Sequence, residues 1–383
     1  MKISLYVLVA SGILLSLVNC YGKGESRSLI ACDSKNLDFN YANRLKLIEH
    51  ESGWYEARIV NPWDTTKLLQ KLALVPKGKN LTTAHFPGNY TVVNVPIEKA
   101  LIQTTVHVGL IEELGSEDAI VGVSDAEYIK SAKVQKKLKE GTIINCGGWM
   151  TPDLEKIVKL NPEAIFVSPY QNGGNYGHIT ELNIPIVYTA DYMENSPLGR
   201  AEWIKYYGLL FGKKIEADSI FKEVETNYLH IKESVDSTAE DYANNKVLLD
   251  LPYMGSWHVH GSGSNNDSFI VDAGGVNPFS YIRNEATIAM PPEKVFFEAS
   301  DADIWIIRRN SKDPLTLELI KSDYPMADRF KAFKEGRVWG CNTKDVFYYE
   351  ETPFHPERLL ADLYDIIHET NESDTLRYFL RLK

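Results

Sequence analysis

Apolar and polar positions change their rhythm along the chain. Over residues 33–95 the pattern is that of strands. Arg44 to Glu49 and Trp54 to Val60 flank the hairpin turn His50-Glu51-Ser52-Gly53, and Asn61-Pro62-Trp63 closes the second strand. From Tyr90 onward, short apolar runs recur at 90–95, 120–123, 164–167 and 186–188, with segments of helical spacing between them. The clearest helix is Pro152 to Leu160, where Leu154, Ile157, Val158 and Leu160 form an apolar stripe. Such alternation implies a largely parallel sheet covered by helices on both faces.

The alternation stops near residue 196. Ser196 can cap a helix with Pro197 at its first position, and helical spacing continues until Gly212 interrupts it. A second segment from about 213 to 235 carries Ala217, Ile220, Phe221, Val224, Tyr228 and Ile231 on one face. At 1.5 Å per residue it spans roughly 35 Å, enough to reach from one lobe to another. Strands then return at 246–251, 303–307 and 337–339, among helical segments near 269–273, 292–298, 314–320 and 356–368. The fold read from this pattern is α/β: two Rossmann-like lobes with parallel sheets joined by one long helix, plus an N-terminal β-hairpin extension. The divisions are a signal at 1–19, a flexible tether at 20–32, a β-rich extension at 33–95, an N-terminal lobe at 90–195, linking helices at 196–240 and a C-terminal lobe at 241–383. A weak echo relates the lobes. Thr151-Pro152-Asp153-Leu154-Glu155-Lys156-Ile157 and Pro291-Pro292-Glu293-Lys294-Val295 each begin a helix with Glu-Lys-apolar just before a buried strand.

Length and charge sharpen this picture. The 383 residues suit two domains, and 41 basic against 52 acidic side chains give a net charge of −11, which argues against a non-specific nucleic-acid binder. Lys2 and the apolar run Leu5 to Val18 read as an export signal, too short for a comfortable membrane span. The run ends at Leu17-Val18-Asn19-Cys20, and Cys20 resembles the lipidated cysteine of a bacterial lipoprotein, although Asn19 departs from the small residue usual before it. Anchoring to the membrane would then be by lipid alone. Cys32, Cys146 and Cys341 remain, with no CxxC or metal-type spacing, so a disulfide framework or cysteine-based zinc site is not expected.

Catalytic templates fail: there is no GxSxG, HExxH, P-loop or GxGxxG, and Gly261 to Asn266 reads as a polar loop. His258 and His260 would share one face of a strand, as a metal pair or as solvent-facing residues. In open α/β sheets ligands bind beyond the carboxyl ends of the strands. The residues there are Cys146 to Trp149, Ser168 to Gln171, Asp191 to Met193, Met254 to His258, Arg308 to Asn310 and Asn342 to Tyr349. Trp149, Tyr170, Trp257, His258 and Arg308 are the candidate ligand contacts, because ring faces give apolar contact and Arg pairs with carboxylate or catecholate oxygens. Glu155 and Glu293 lie where a helix dipole favours negative charge. Their paired placement also suits docking onto two arginines of a partner built from like subunits.

The runs Thr104 to Gly115, Ile120-Val121-Gly122-Val123-Ser124, Leu160-Asn161-Pro162-Glu163-Ala164-Ile165-Phe166-Val167, Val271-Asp272-Ala273-Gly274-Gly275 and His355 to Leu363 together resemble the iron-chelate and cobalamin class of ABC-transporter substrate-binding proteins. The resemblance covers roughly residues 90–370. It implies a rigid linking helix, a ligand in the inter-lobe cleft, little closure on binding, and no enzymatic activity. It further implies a ferric siderophore, haem or cobalamin as cargo, no intrinsic cofactor, a permease dimer as partner with Glu155 and Glu293 as docking residues, and a periplasm-facing lipoprotein. A related branch holds free zinc or manganese, which would involve His258 and His260. An exported hydrolase with a triad built around Ser264 is the rival of another class.

Overall fold

The computed structural model describes residues 34–171, 177–242, 245–284, 286–370 and 375–383. The signal, the tether and the lipidation position Cys20 lie outside the described residues.

The extension is a five-stranded sheet of β1 (Ser34–Asn36), β2 (Leu45–His50), β3 (Trp54–Val60), β4 (Leu68–Pro76) and β5 (Thr91–Val95). Its central hairpin turns at Gly53, whose φ of +79° is a conformation glycine adopts without strain, and His50 pairs with Trp54 across it. One face buries Trp54, Ala73, Val75 and Phe86, while the other sends Leu45, Leu47, Ala57, Ile59, Leu72 and Leu74 into the main core. The run at 90–95 belongs to this sheet, because β5 pairs in parallel with β4, rather than opening the next lobe as the alternation suggested.

The N-terminal lobe comprises β6 (Ala100–Ile102), α1 (Thr105–Glu113), β7 (Ile120–Val123), α2 (Ala132–Glu140), β8 (Ile144–Asn145), α3 (Leu154–Leu160), β9 (Ala164–Val167) and β10 (Ile186–Tyr188). All the strand pairs are parallel, in the order β10-β9-β6-β7-β8. Burial on both faces explains why β9 is apolar throughout.

The helices α4 (Pro197–Glu202), α5 (Ile204–Leu210) and α6 (Lys214–Tyr242) follow. Ser196 caps α4 by accepting from the Gly199 amide at 3.0 Å, with Pro197 in the first turn. Helix α6 has 29 residues, about 43 Å of rise. Gly208 lets it approach α5 closely, since a Cβ there would lie 2.5 Å from that of Ala217. At its far end the Tyr228 hydroxyl donates to Asp272 at 2.7 Å, and Lys232 pairs with the same carboxylate at 2.6 Å.

The C-terminal lobe contains β11 (Val247–Leu249), β12 (Trp257–His260), α7 (Asn265–Asp272), β13 (Thr287–Met290), α8 (Pro292–Ala299), β14 (Ile304–Arg309), α9 (Leu317–Asp323), α10 (Lys331–Lys334), β15 (Val338–Asn342), α11 (Tyr348–Glu351), α12 (Pro356–His368) and β16 (Leu380–Arg381). Its sheet runs β11-β14-β15-β16 with only β16 antiparallel, and β12 and β13 form a separate antiparallel pair. The lobes touch where α1 packs on α11. There the Lys130 ammonium donates to the Thr343 carbonyl at 2.6 Å and to that of Val346.

Candidate functional site

The strands of the N-terminal lobe and those of the C-terminal sheet lead into loops that carry exposed aromatic rings. Asp125, in the left-handed region, accepts the Trp149 amide proton at 3.2 Å. The indole then meets Tyr170 edge to face, with centroids 5.9 Å apart. Both rings are more than two-fifths exposed, as are Tyr253 and Phe347 on loops of the other lobe and Tyr349 in the short helix α11. Large apolar rings left in solvent at strand ends suit a ligand more than a core.

Two expected contacts have other roles. Trp257 is fully buried, stacks on Trp305 at 5.9 Å and donates its indole proton to the Leu249 carbonyl at 2.9 Å. It is a core residue of the C-terminal lobe, because alternation along β12 turns it inward and His258 outward. Arg308 stands at the end of β14, but its guanidinium grips the Asp250 carboxylate and donates to Asn266 Oδ1 at 2.9 Å and to the Tyr348 hydroxyl at 3.3 Å. Burial alone would raise the Asp250 pKa, but the adjacent guanidinium holds it below the usual carboxylate value. Arg308 is therefore tied into a polar network within the C-terminal lobe.

His258 and His260 do share a face of β12. His258 is exposed, while His260 borders the large cavity described below, where burial and then the charge of Arg308 push its pKa down to about 4. It is neutral at physiological pH. Among the described residues, no three His, Cys, Asp or Glu side chains are placed to hold a metal ion. Ser264 is the N-cap of α7: its hydroxyl accepts from the Asp267 amide at 3.1 Å and donates to the Gly261 carbonyl at 2.9 Å, which places it in a structural role rather than a triad. Cys146 and Cys341 are buried free thiols, and burial raises their pKa values to about 11 and about 12.

Glu155 and Glu293 are exposed in the first turns of α3 and α8. Capping does not account for Glu155, because Asp153 is the N-cap of α3 and accepts from the Lys156 amide at 3.1 Å. Val158 and Phe297, one turn further along each helix, are exposed apolar side chains.

The large cavity has a volume of about 1010 Å³ and three walls. The N-terminal lobe and the start of the linker supply Gln171 and Tyr192 to Asn195, and the C-terminal lobe supplies His260, the segment 262–266 that leads into α7, Arg283 and Thr287. The extension supplies Arg44, Pro62 and Trp63. Sequence reasoning left Arg44, Trp63 and Arg283 out of the site. The one signal was Asn61-Pro62-Trp63, an aromatic directly after a turn-forming pair.

Residues 103–344 match the periplasmic binding protein family, more than half of the chain. The chain is 27% identical over 391 aligned positions to an uncharacterized lipoprotein of Methanocaldococcus jannaschii, covering 95% of this chain and 90% of that one. Among solved structures it resembles a periplasmic heme-binding protein from Pseudomonas aeruginosa, with a TM-score of 0.59 and 13% identity, over 75% of this chain and 98% of that one. It also resembles a protein of an ABC-type Fe3+-hydroxamate transport system from Saccharomonospora viridis, with a TM-score of 0.55 and 17% identity, over 71% and 93% of the two chains. At these identities the solved structures share the fold.

Proposed function

The chain belongs to the periplasmic binding protein family, a family of solute-binding proteins, and from that premise we propose that it is the receptor of an ABC importer for a large metal chelate. The cargo is a ferric siderophore, haem or cobalamin, taken up between the lobes and handed to a permease dimer. The observation that carries this reading is a cavity of about 1010 Å³ lined by both lobes, which has room for a bulky ligand, together with exposed aromatic rings at the strand ends, where Tyr170 directly precedes the cavity residue Gln171. Trp149 and Tyr170 are the ring contacts in this reading. Anchoring is through a lipid on Cys20, in line with the lipoprotein relative.

Glu155 and Glu293 are the proposed docking residues. Their exposure, the separate cap on α3 and the apolar neighbour one turn along each helix support a surface that meets two like subunits.

Titration of the purified protein with ferric siderophores, haem and cobalamin, followed by tryptophan fluorescence, tests the cargo. Binding tighter than roughly 10 μM, about −7 kcal/mol, is expected for one class. Failure of every class to reach that affinity rejects the receptor reading. Stoichiometric zinc or manganese binding that is lost in a His258→Ala, His260→Ala variant would point to the free-metal branch instead.

A further inference from the structure

The extension lies outside the family match, yet its position is fixed with unusual care for an appendage. The backbone amides of Asn40, Tyr41 and Ala42 donate to the Glu202 carboxylate, and those of Asn43 and Arg44 donate to Glu194, all at 2.8–3.0 Å. Glu194 also accepts the Trp203 indole proton at 2.9 Å. Charge-assisted bonds of this kind are stronger than neutral ones. A second attachment lies on β4, where the Gln70 side chain donates to the Ile186 carbonyl at 2.7 Å and accepts from the Tyr188 amide at 3.0 Å, both on the edge strand β10.

What this anchoring presents to the cavity is specific. Arg44 directs its guanidinium to the Met193 carbonyl at 2.6 Å and to Asn195 Oδ1 at 3.1 Å, both residues of the cavity wall. Trp63 sits on the turn between β3 and β4, where Asn61 Oδ1 accepts the Trp63 amide at 2.9 Å and the Asp64 amide at 3.2 Å. Arg283 faces them from the C-terminal lobe and is exposed. Among the described residues the one carboxylate in the wall is Glu194, already engaged by three donors. In a chain of net charge −11, this cavity is thus bordered by the exposed Arg283 and by Arg44, which is largely buried with its guanidinium held by the wall.

We infer that the N-terminal extension is a permanent third wall of the ligand site, in which Trp63 and Arg44 contact the cargo and, with Arg283 opposite, select a chelate bearing an anionic group beside a flat apolar face. The inference rests on the receptor reading above and narrows it. Glu194 and Glu202 are positioning residues, acting through the segment that carries Arg44. Trp63 is also an optical reporter: of the seven tryptophans, only it and Trp149 are not buried.

The test compares four probes on the purified full chain by fluorescence titration: haem and ferric citrate, which carry carboxylates, against the cationic ferrioxamine B and the uncharged cyanocobalamin. Haem, which joins carboxylates to a flat apolar ring, is expected to bind at least about tenfold more tightly than ferrioxamine B and cyanocobalamin and more tightly than ferric citrate, which has the carboxylates alone. Ferric citrate binding most tightly would overturn the flat-face part of the selection. Trp63→Ala and Arg283→Gln should each weaken haem binding about tenfold with unchanged melting temperature, and Trp63→Phe should remove part of the ligand-induced quenching while keeping the fold. If both weakening variants bind like the native chain, the extension is no part of the site, although the receptor reading stands. If ferrioxamine B or cyanocobalamin binds most tightly, the anionic selection is wrong and the receptor reading again stands. Binding of no probe overturns both.

Discussion

Trp149 and Trp257 both follow a glycine-bearing turn, and nothing local separates them in the sequence. Packing does. Trp149 ends a loop whose neighbours are solvent and the Tyr170 ring, whereas Trp257 enters a strand whose inner face meets Trp305, Tyr324 and Phe330. Removing the buried ring leaves a cavity and an unpaired carbonyl, so Trp257→Ala should lower unfolding free energy by about 3–5 kcal/mol in urea denaturation. Trp149→Ala should change it by no more than about 0.5 kcal/mol while weakening cargo binding. Equal stability losses in the two variants would contradict these assignments. Glu155 and Asp153 show the same limit at shorter range. Either could cap α3, and only the hydrogen bond identifies Asp153 as the cap and leaves Glu155 exposed.

Helices and strands with strong local signals were legible. The turn at Gly53, the Ser196-Pro197 helix start, the apolar face of α6 and the runs at 120–123, 164–167 and 186–188 all stand where periodicity puts them. Elements defined by their neighbours were not. Strand β4 has no clear alternation, β6 is three residues long, and β12 pairs with β13 outside the main sheet. The start of α12 carries a further non-local contact. His355, its N-cap residue, places Nε2 2.6 Å from Glu113 of α1 and Nδ1 2.9 Å from Glu357, with Arg358 3.6 Å from the same Glu357 carboxylate. Burial works against a charged imidazole there, but the two carboxylates outweigh it and raise its pKa to about 9. A raised pKa makes this stabilisation complete below the ordinary value of about 6.5 and loses it as pH rises through about 9. The native melting temperature should therefore fall between pH 7 and pH 10 by more than that of a His355→Gln variant. Parallel profiles would show that the pair contributes nothing.

At the scale of the molecule, one continuous core runs from Leu45 of the extension through Ile102 and Phe221 to Ile367 of the C-terminal lobe, so the modules suggested by length are not independent bodies. That continuity, with the Lys130 contact between lobes, favours a frame presenting Glu155 and Glu293 at a set spacing. A double Glu155→Ala, Glu293→Ala variant should keep its cargo affinity and lose ligand-dependent stimulation of the transporter ATPase in reconstituted vesicles. Undiminished stimulation would reject the docking role. The sequence by itself determined the α/β alternation, the long linking helix, the strand-end loops and the acidic pair, because each depends on periodicity or on residues close together in the chain. Only the tertiary structure decided which rings stay exposed, that Arg308 is held by Asp250, and that Arg44 and Trp63 border the cavity. Those outcomes depend on contacts such as Arg44 with Asn195, about 150 residues apart, which no local pattern encodes.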